Sequence, residues 1–288
     1  MNLAGILRSS AVDKVAIISA YCMIILLPLL ATSATLEWSG MDSAARSVVA
    51  LTLAAFGMMC LQPVLAARIP YLDRIFGLDI VYVLHKAMGM TAAFTQMCAL
   101  SLRIAGHEHP LAWTGPAGTG LLLVLVLSAL LRRELRMSYE VWRNLHNVLF
   151  IGILMVLFAD ALKTTASLQN MLPKLSVLFL FLVALTAYGA HRLAGPWLRR
   201  NALFRVDRIM QEAKNVWTLT LTPPEGRERF AFQPGQFQFL TFNEGRGEEH
   251  PFTISSSPAQ QGRHSSTIKG SGDFTRTIGS VKIGDLGQ

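Results

Sequence analysis

Charge is scarce in this chain. Only 15% of its 288 residues are Asp, Glu, Lys or Arg, against about 25% in an ordinary soluble domain, and 52% are hydrophobic. The deficit is uneven: charges are sparse from Val15 to His191 and frequent from Arg192 onward. Two parts follow, an apolar one and a smaller soluble one. Cysteine is scarce too. Cys22, Cys60 and Cys98 each lie inside an apolar run, which excludes a disulfide framework and a CxxC metal site. No glycine-rich strand-to-helix turn of the dinucleotide-binding kind occurs. The apolar runs lack paired acidic residues, and Pro28 and Pro63 are isolated, so a transporter with matched broken helices is disfavoured. The formal charge of +8 comes with no basic patch interleaved with aromatics, which argues against nucleic acid.

What the chain does have is long apolar runs. Six stand out, at Val15–Leu36, Ser47–Ala67, Ile80–Leu102, Ala117–Leu131, Asn144–Leu162 and Lys174–His191. A membrane helix needs about 20 mostly apolar residues. Five runs come close; the fourth is short unless its flanks join it. The first is too long for a signal peptide and lacks a clear cleavage site. The expected fold is therefore an all-α six-helix transmembrane bundle over residues 1–200. Basic residues set its orientation. With the N-terminus inside, the inner segments hold Arg8, Lys14, Arg68, Arg74, Arg132, Arg133, Arg136, Arg143, Arg192, Arg199, Arg200 and Arg205. The outer loops hold only Arg46, Arg103, Lys163 and Lys174. An integral protein of the cytoplasmic membrane, with both termini cytoplasmic, is expected.

After Asn201 the pattern changes to short alternating segments. LFRVDRIM, VWTLTLTP, QFQFLTF, HPFTISSS and SSTIKG read as strands separated by turn-rich PPEG and QPGQ. Close spacing of short strands predicts a small antiparallel barrel over residues 201–288.

The seven histidines are the chemically informative residues. His85 lies a little over one turn inside the inner end of the third span, and His146 near the inner end of the fifth. At about 1.5 Å rise per residue, the two sit at matching depth. Imidazoles on two helices at one depth suit the two axial positions of a b-type haem. Lys86 and Arg143 stand close enough in sequence to meet its propionates. The plainer alternative is a pair of interhelical hydrogen-bonding groups with basic side chains reaching to the interface, and spacing alone leaves both open. His107 and His109 flank Glu108 in an outer loop, where a metal site and a solvated loop are both compatible. His191 closes the sixth span at the interface, and His264 falls in a polar turn.

At EEHPFTISSSP a resemblance enters. His250, Pro251, Phe252 and Thr253, followed by Ser255 and Ser256, resemble the flavin-binding segment of ferric reductases and NADPH oxidases. Pro234-Gly235-Gln236-Phe237 upstream and IKGSGDFTRTI downstream, with Lys269, Gly272, Phe274 and Thr275, follow that family's order. GLDIVYVLHKAMG and SYEVWRNLHNVLF look like its third and fifth membrane helices. A flavin needs an aromatic or apolar surface against its ring, which Phe252 can supply, and hydrogen bonds at N5 and O4, which Thr253 can supply. The GDFTRTI turn places Phe274 and Thr275 where a helix begins, a place suited to phosphate. The resemblance implies FAD, one or two haems, and electron transfer from a cytoplasmic-side flavin to haem. The residues alone do not separate FAD from FMN.

Two departures from the family matter. Its two-haem members carry a second histidine about 13 or 14 residues after each first one. Here those positions hold Cys98 and Ala99, and Ala159 and Asp160. Only the inner haem, on His85 and His146, is therefore expected; Cys98, Met97 and Met155 are weak substitutes. The family also continues into a nucleotide-binding domain beyond the point where Gln288 stands. The flavin barrel is thus expected to be incomplete, with NAD(P)H electrons entering through a missing domain or a separate reductase. The resulting expectation is a flavocytochrome b-like membrane oxidoreductase. Its terminal acceptor is open among ferric ion, oxygen, a quinone and a partner protein. The alternative is a degenerate non-catalytic subunit or sensor that keeps the fold.

Overall fold

In lipid a chain must satisfy its own backbone, so apolar runs of this length fold as helices. The computed structural model describes residues 3–106, 113–166, 168–194, 204–226, 231–232, 234–241, 250–260 and 262–287. It divides into two units, Met1–His191 and Arg192–Gln288.

The first unit is helical: α1 (Leu3–Ser33), α2 (Leu36–Gly40), α3 (Ser43–Ala66), α4 (Pro70–Phe76), α5 (Leu78–Ala105), α6 (Thr114–Leu130), α7 (Tyr139–Ala166) and α8 (Met171–Gly189). Each of the six apolar runs falls largely within one long helix. The short α2 and α4 were not foreseen. α1 ends at Ser33 rather than Leu36, and Thr35 opens α2 by accepting from the Trp38 amide. Asp42 and Asn170 cap α3 and α8 in the same way, accepting from the amides of Ala45 and Leu172 at 2.7 and 2.9 Å. Gly77 makes the corner between α4 and α5 at φ 85°, which a side chain would strain.

Among the described residues, four segments are long and apolar enough to cross a membrane: Ala11–Ser33, Ser43–Ala66, Tyr139–Ala166 and Met171–Arg192. α6 is apolar but has 17 residues. α5 has 28, but Thr91, Thr95, Gln96, Ser101 and Arg103 dilute its apolar character. The apolar helices are greasy on more than one face. α8 buries Val177, Leu180 and Phe181 inward while Leu175, Leu178, Phe179 and Leu182 are exposed. A soluble bundle would leave polar residues there, so this pattern fits lipid on the outer face.

The central helix is α3, which packs against α1, α5, α7 and α8. Its Phe56, Leu53 and Met59 meet Leu122, Ile153, Leu154 and Leu180 in one core. Helices α1 and α3 cross closely at Gly57, where an added Cβ would run into the Ile25 main chain.

The second unit is antiparallel: β1 (Phe204–Ala213), β2 (Val216–Thr222), β3 (Phe237–Leu240), β4 (His250–Thr253), β5 (His264–Lys269), a single turn α9 (Asp273–Arg276), a 3-10 turn at Ile278–Ser280, and β6 (Leu286–Gly287). β1 and β2 form a hairpin turned by Lys214 and Asn215, with Asn215 at φ 59°, a conformation asparagine tolerates. One sheet runs β5–β2–β1–β6 and the other pairs β3 with β4. The amide of Ser255, just past β4, donates to the Ser265 carbonyl of β5 at 2.8 Å and joins the two edge to edge. Among the described residues no strand pairing joins β3 to β6, and the strands form these two antiparallel sheets. Its core is Val206, Leu219, Leu221, Leu240, Ile268 and Ile278.

His264 departs from the polar-turn expectation. It begins β5, is fully buried, and meets Phe204 edge-on at 5.0 Å. Its Nε2 donates to Gln238 Oε1 at 2.7 Å, since a carbonyl oxygen can only accept, and Gln238 Nε2 donates to Ser266 Oγ at 2.9 Å. His107 and His109 lie outside the described residues.

Candidate functional site

The helical unit brings its two predicted histidines together. His85 on α5 and His146 on α7 place their rings 6.4 Å apart, tilted by 45°. Both line a cavity of about 310 Å³, with Met59, Gln62, Leu125, Trp142 and Phe150 among its walls. That is within the size range of ligand pockets, and the lining is largely apolar with few polar groups. Gly89, one turn after His85, also lines it, and a Cβ there would meet nothing within 4 Å. His146 Nδ1 and Trp142 Nε1 are buried and have no hydrogen-bond partner among the described residues. Trp142 packs on His146 at 5.1 Å between ring centres.

Gln62 of α3 was not singled out from the sequence. Only 4% exposed, it reaches His85 from a third helix. One end of its amide lies 2.7 Å from His85 Nδ1 and 3.1 Å from the His85 carbonyl, and the other 3.3 Å from the Gly89 amide; with the amide oriented to satisfy all three, its nitrogen donates to the first two and its oxygen accepts from Gly89. No local pattern marks such a residue; the available signal was a polar side chain in an otherwise apolar run.

Of the two basic residues assigned to propionates, Lys86 lines the cavity. Arg143 instead lies over the Tyr139 ring, 5.6 Å from its centre. Arg132 does line the cavity, and its guanidinium sits near the faces of Tyr139 and Trp142 at 5.5 and 5.8 Å.

At the other end of these helices, one of the positions that lack a second histidine, Asp160, belongs to a buried ion pair. Asp160, fourteen residues after His146, is held by Arg103 Nη1 at 2.9 and 3.2 Å. Thr114 Oγ1 and Gln96 Nε2 donate to the same carboxylate at 2.8 and 3.3 Å. Arg103 Nη2 donates to Thr52 and Thr164 at 2.9 and 3.3 Å. The side chains are 8% and 1% exposed. Arg103 is thus no loop charge, as the topology count had it, but an internal one. Met97 and Met155 are largely exposed, and no group of three or more metal-ligating His, Cys, Asp or Glu residues forms among the described residues.

In the second unit, His250, Phe252 and Phe274 come together. The His250 and Phe274 rings stack at 3.9 Å, and Phe252 and Phe274 at 6.1 Å. Alternation along β4 leaves Pro251 and Thr253 exposed on the opposite face. Ser255 and Ser256 tie β4 to β5: Ser255 Oγ donates to the Ser265 carbonyl and accepts from Thr267, and Ser256 Oγ accepts from the Ser265 amide. Lys269 is exposed at the end of β5. The expected phosphate-receiving helix is the single turn α9. The amides of Ser271 and Gly272 ahead of it go to Thr275 Oγ1 at 2.9 and 2.8 Å, which leaves them unavailable to a phosphate in this arrangement.

Residues 203–283 match the family model described as an FAD-binding domain. The matched stretch lies within the second unit and takes in β1 to β5, α9 and the 3-10 turn. No curated protein matches the chain. Among solved structures, the flavohemoglobin from Malassezia yamatoensis with bound FAD and heme is similar at 16% identity and a TM-score of 0.31. The match covers 85% of this chain and 63% of that one, so this chain spans less than two thirds of its length.

Proposed function

We propose that the chain is a membrane flavocytochrome b-like oxidoreductase. In it, FAD in the second unit passes electrons to one b-type haem held by His85 and His146. The observation that carries this is the close pair of histidines lining one apolar cavity. Two imidazoles in line on one metal, with metal–nitrogen bonds of about 2.0 Å, have ring centres about 6.3 Å apart. The observed separation is 6.4 Å. Gly89 leaves open the space a macrocycle needs, and Lys86 and Arg132 can meet its carboxylates.

Bound together, the flavin would convert paired electrons to single ones and the haem would relay them through the apolar layer. The residues of the chain hold and tune these groups. His85 and His146 would hold the iron through neutral ring nitrogens, while Leu125, Phe150 and Met59 would exclude water. In the second unit Phe252 offers a ring surface, exposed Thr253 a hydroxyl, and Lys269 a cation for phosphate. On this reading the six long helices form the membrane domain, and its histidine end and both termini face the cytoplasm. NAD(P)H electrons arrive through a further domain or a partner reductase.

The reduced-minus-oxidised difference spectrum of the purified full chain tests this. A b-type band that disappears in both His85→Ala and His146→Ala is expected. No band, or a band unchanged in both variants, refutes it. The Arg103–Asp160 pair supports a second reading, a subunit or sensor that keeps the fold without outward electron transfer. Reducing the flavin while the haem stays oxidised would favour that one.

A further inference from the structure

Gln62 touches the imidazole that the haem reading assigns to iron, so an inference about it rests on that reading. Its amide sits 2.7 Å from His85 Nδ1, which occupies that nitrogen and leaves Nε2 as the one free to take a metal. The His85 carbonyl and the Gly89 amide favour the orientation with the amide nitrogen toward His85, in which Nδ1 accepts and the ring proton is on Nε2. Iron on Nε2 requires the opposite tautomer, with the proton on Nδ1. A carboxamide can serve both states, because turning it over replaces the donor at Nδ1 by an acceptor. The turn gives up the contacts to the His85 carbonyl and the Gly89 amide, both longer at 3.1 and 3.3 Å, and gains a short Nδ1–H···O bond.

We infer that Gln62 is the positioning residue of the haem site. It fixes the plane of the His85 ring and, by reversing its amide, selects the tautomer that ligates iron. The ring gains and loses no net proton: one leaves Nε2 and one is bound at Nδ1. Outer partners of this kind orient the ligand and raise its basicity, and their loss typically costs about 10- to 100-fold in metal affinity. Gln62 is suited to this by its burial and by its origin on α3, the central helix, rather than on the helix that carries the ligand.

The test uses the full chain in detergent with added haemin. Haem affinity, the low-spin electron paramagnetic resonance signal and the midpoint potential are measured for wild type, Gln62→Met, Gln62→Glu and His85→Ala. Gln62→Met keeps the length but neither donates nor accepts strongly, and should bind haem about 10- to 100-fold more weakly. Gln62→Glu, ionised, can only accept. It should retain haem, and a tenfold preference for the ferric state would lower the potential by about 59 mV. Wild-type affinity, resonance signal and potential in Gln62→Met, with binding abolished in His85→Ala, would overturn the role of Gln62 and leave the haem reading intact. Wild type without haem, or His85→Ala with undiminished haem, overturns both. Should Gln62→Met unfold, by ellipticity and thermal melting, Gln62→Glu decides: a folded protein with the wild-type potential refutes the proposal.

Discussion

Replacing Asp160 by alanine should be the most damaging single change in the helical unit. The carboxylate takes hydrogen bonds from Arg103, Thr114 and Gln96, and its side chain is 1% exposed. Alanine would leave the Arg103 guanidinium, 8% exposed, without its counter-charge, and Thr114 and Gln96 without their acceptor. Removing one partner of a buried pair costs about 3–5 kcal/mol, much of it the stranded charge. In a unit of this size each kcal/mol moves the melting temperature by about 2–4 °C, so a fall of about 6–20 °C is expected. The double variant Arg103→Leu/Asp160→Leu removes both charges and should lose less than Asp160→Ala alone, because paired apolar replacements are often close to neutral. Helical ellipticity of the detergent-solubilised chain on heating compares wild type, the singles Arg103→Leu and Asp160→Leu, and the double variant, the four corners of the cycle. The haem band should survive in Asp160→Ala below its melting point, since this carboxylate is held by Arg103 rather than poised as a ligand. An Asp160→Ala shift within about 0.5 kcal/mol of wild type, as for a plain surface change, would refute the reasoning. So would a double variant as costly as the two singles together.

Gly89→Leu should separate fold stability from cofactor binding. Nothing stands within 4 Å of a Cβ there, and removing a helical glycine gains up to about 1 kcal/mol. The cavity is filled at the same time, so the melting temperature should hold or rise while haem uptake falls. A variant with wild-type haem content would show that the cavity is not the haem site. A second expectation concerns acid. Glu37, at the short α2, has its carboxyl held below the usual range by main-chain amides, its own and that of Gln169, the latter 3.0 Å away. Because the folded value is depressed, this tie is complete above about pH 4.3 and is lost as pH falls through the lower folded value. The protection factor of the Gln169 amide, its exchange referred to that of an unstructured amide at the same pH, should fall over that acid range, and Glu37→Gln should flatten the fall.

Parts of this protein were legible because they depend on neighbours in sequence. The six apolar runs became helices since a long apolar segment must pair its own backbone wherever water is excluded. The period-two segments after Asn201 became strands, and HPFTISSS lies inside the stretch that matches an FAD-binding domain. His85 and His146 could be matched in depth by rise per residue alone. The same local rules misjudged other residues. His264 reads as a turn between polar neighbours, yet Gln238, 26 residues away, supplies the bond that makes its burial affordable. Arg103 reads as the last charge before a loop, and Asp160 as a gap in a ligand pattern. The two are 57 residues apart, and only folding shows that each is the other's counter-ion.

By itself, then, the sequence determined the division into a greasy part and a strand-rich part, the helical or extended state of each segment, and the chemistry each residue could perform. Those follow from hydrophobic length, periodicity and side-chain type. Only the tertiary structure decided that the two histidines share one cavity and that Gln62 stands behind His85. It also decided that Arg132 lines that cavity while Arg143 lies over Tyr139, and that an ion pair fills the far end of the helices. Those depend on how each helix is rotated about its axis, and that rotation is set by packing between residues far apart in the chain.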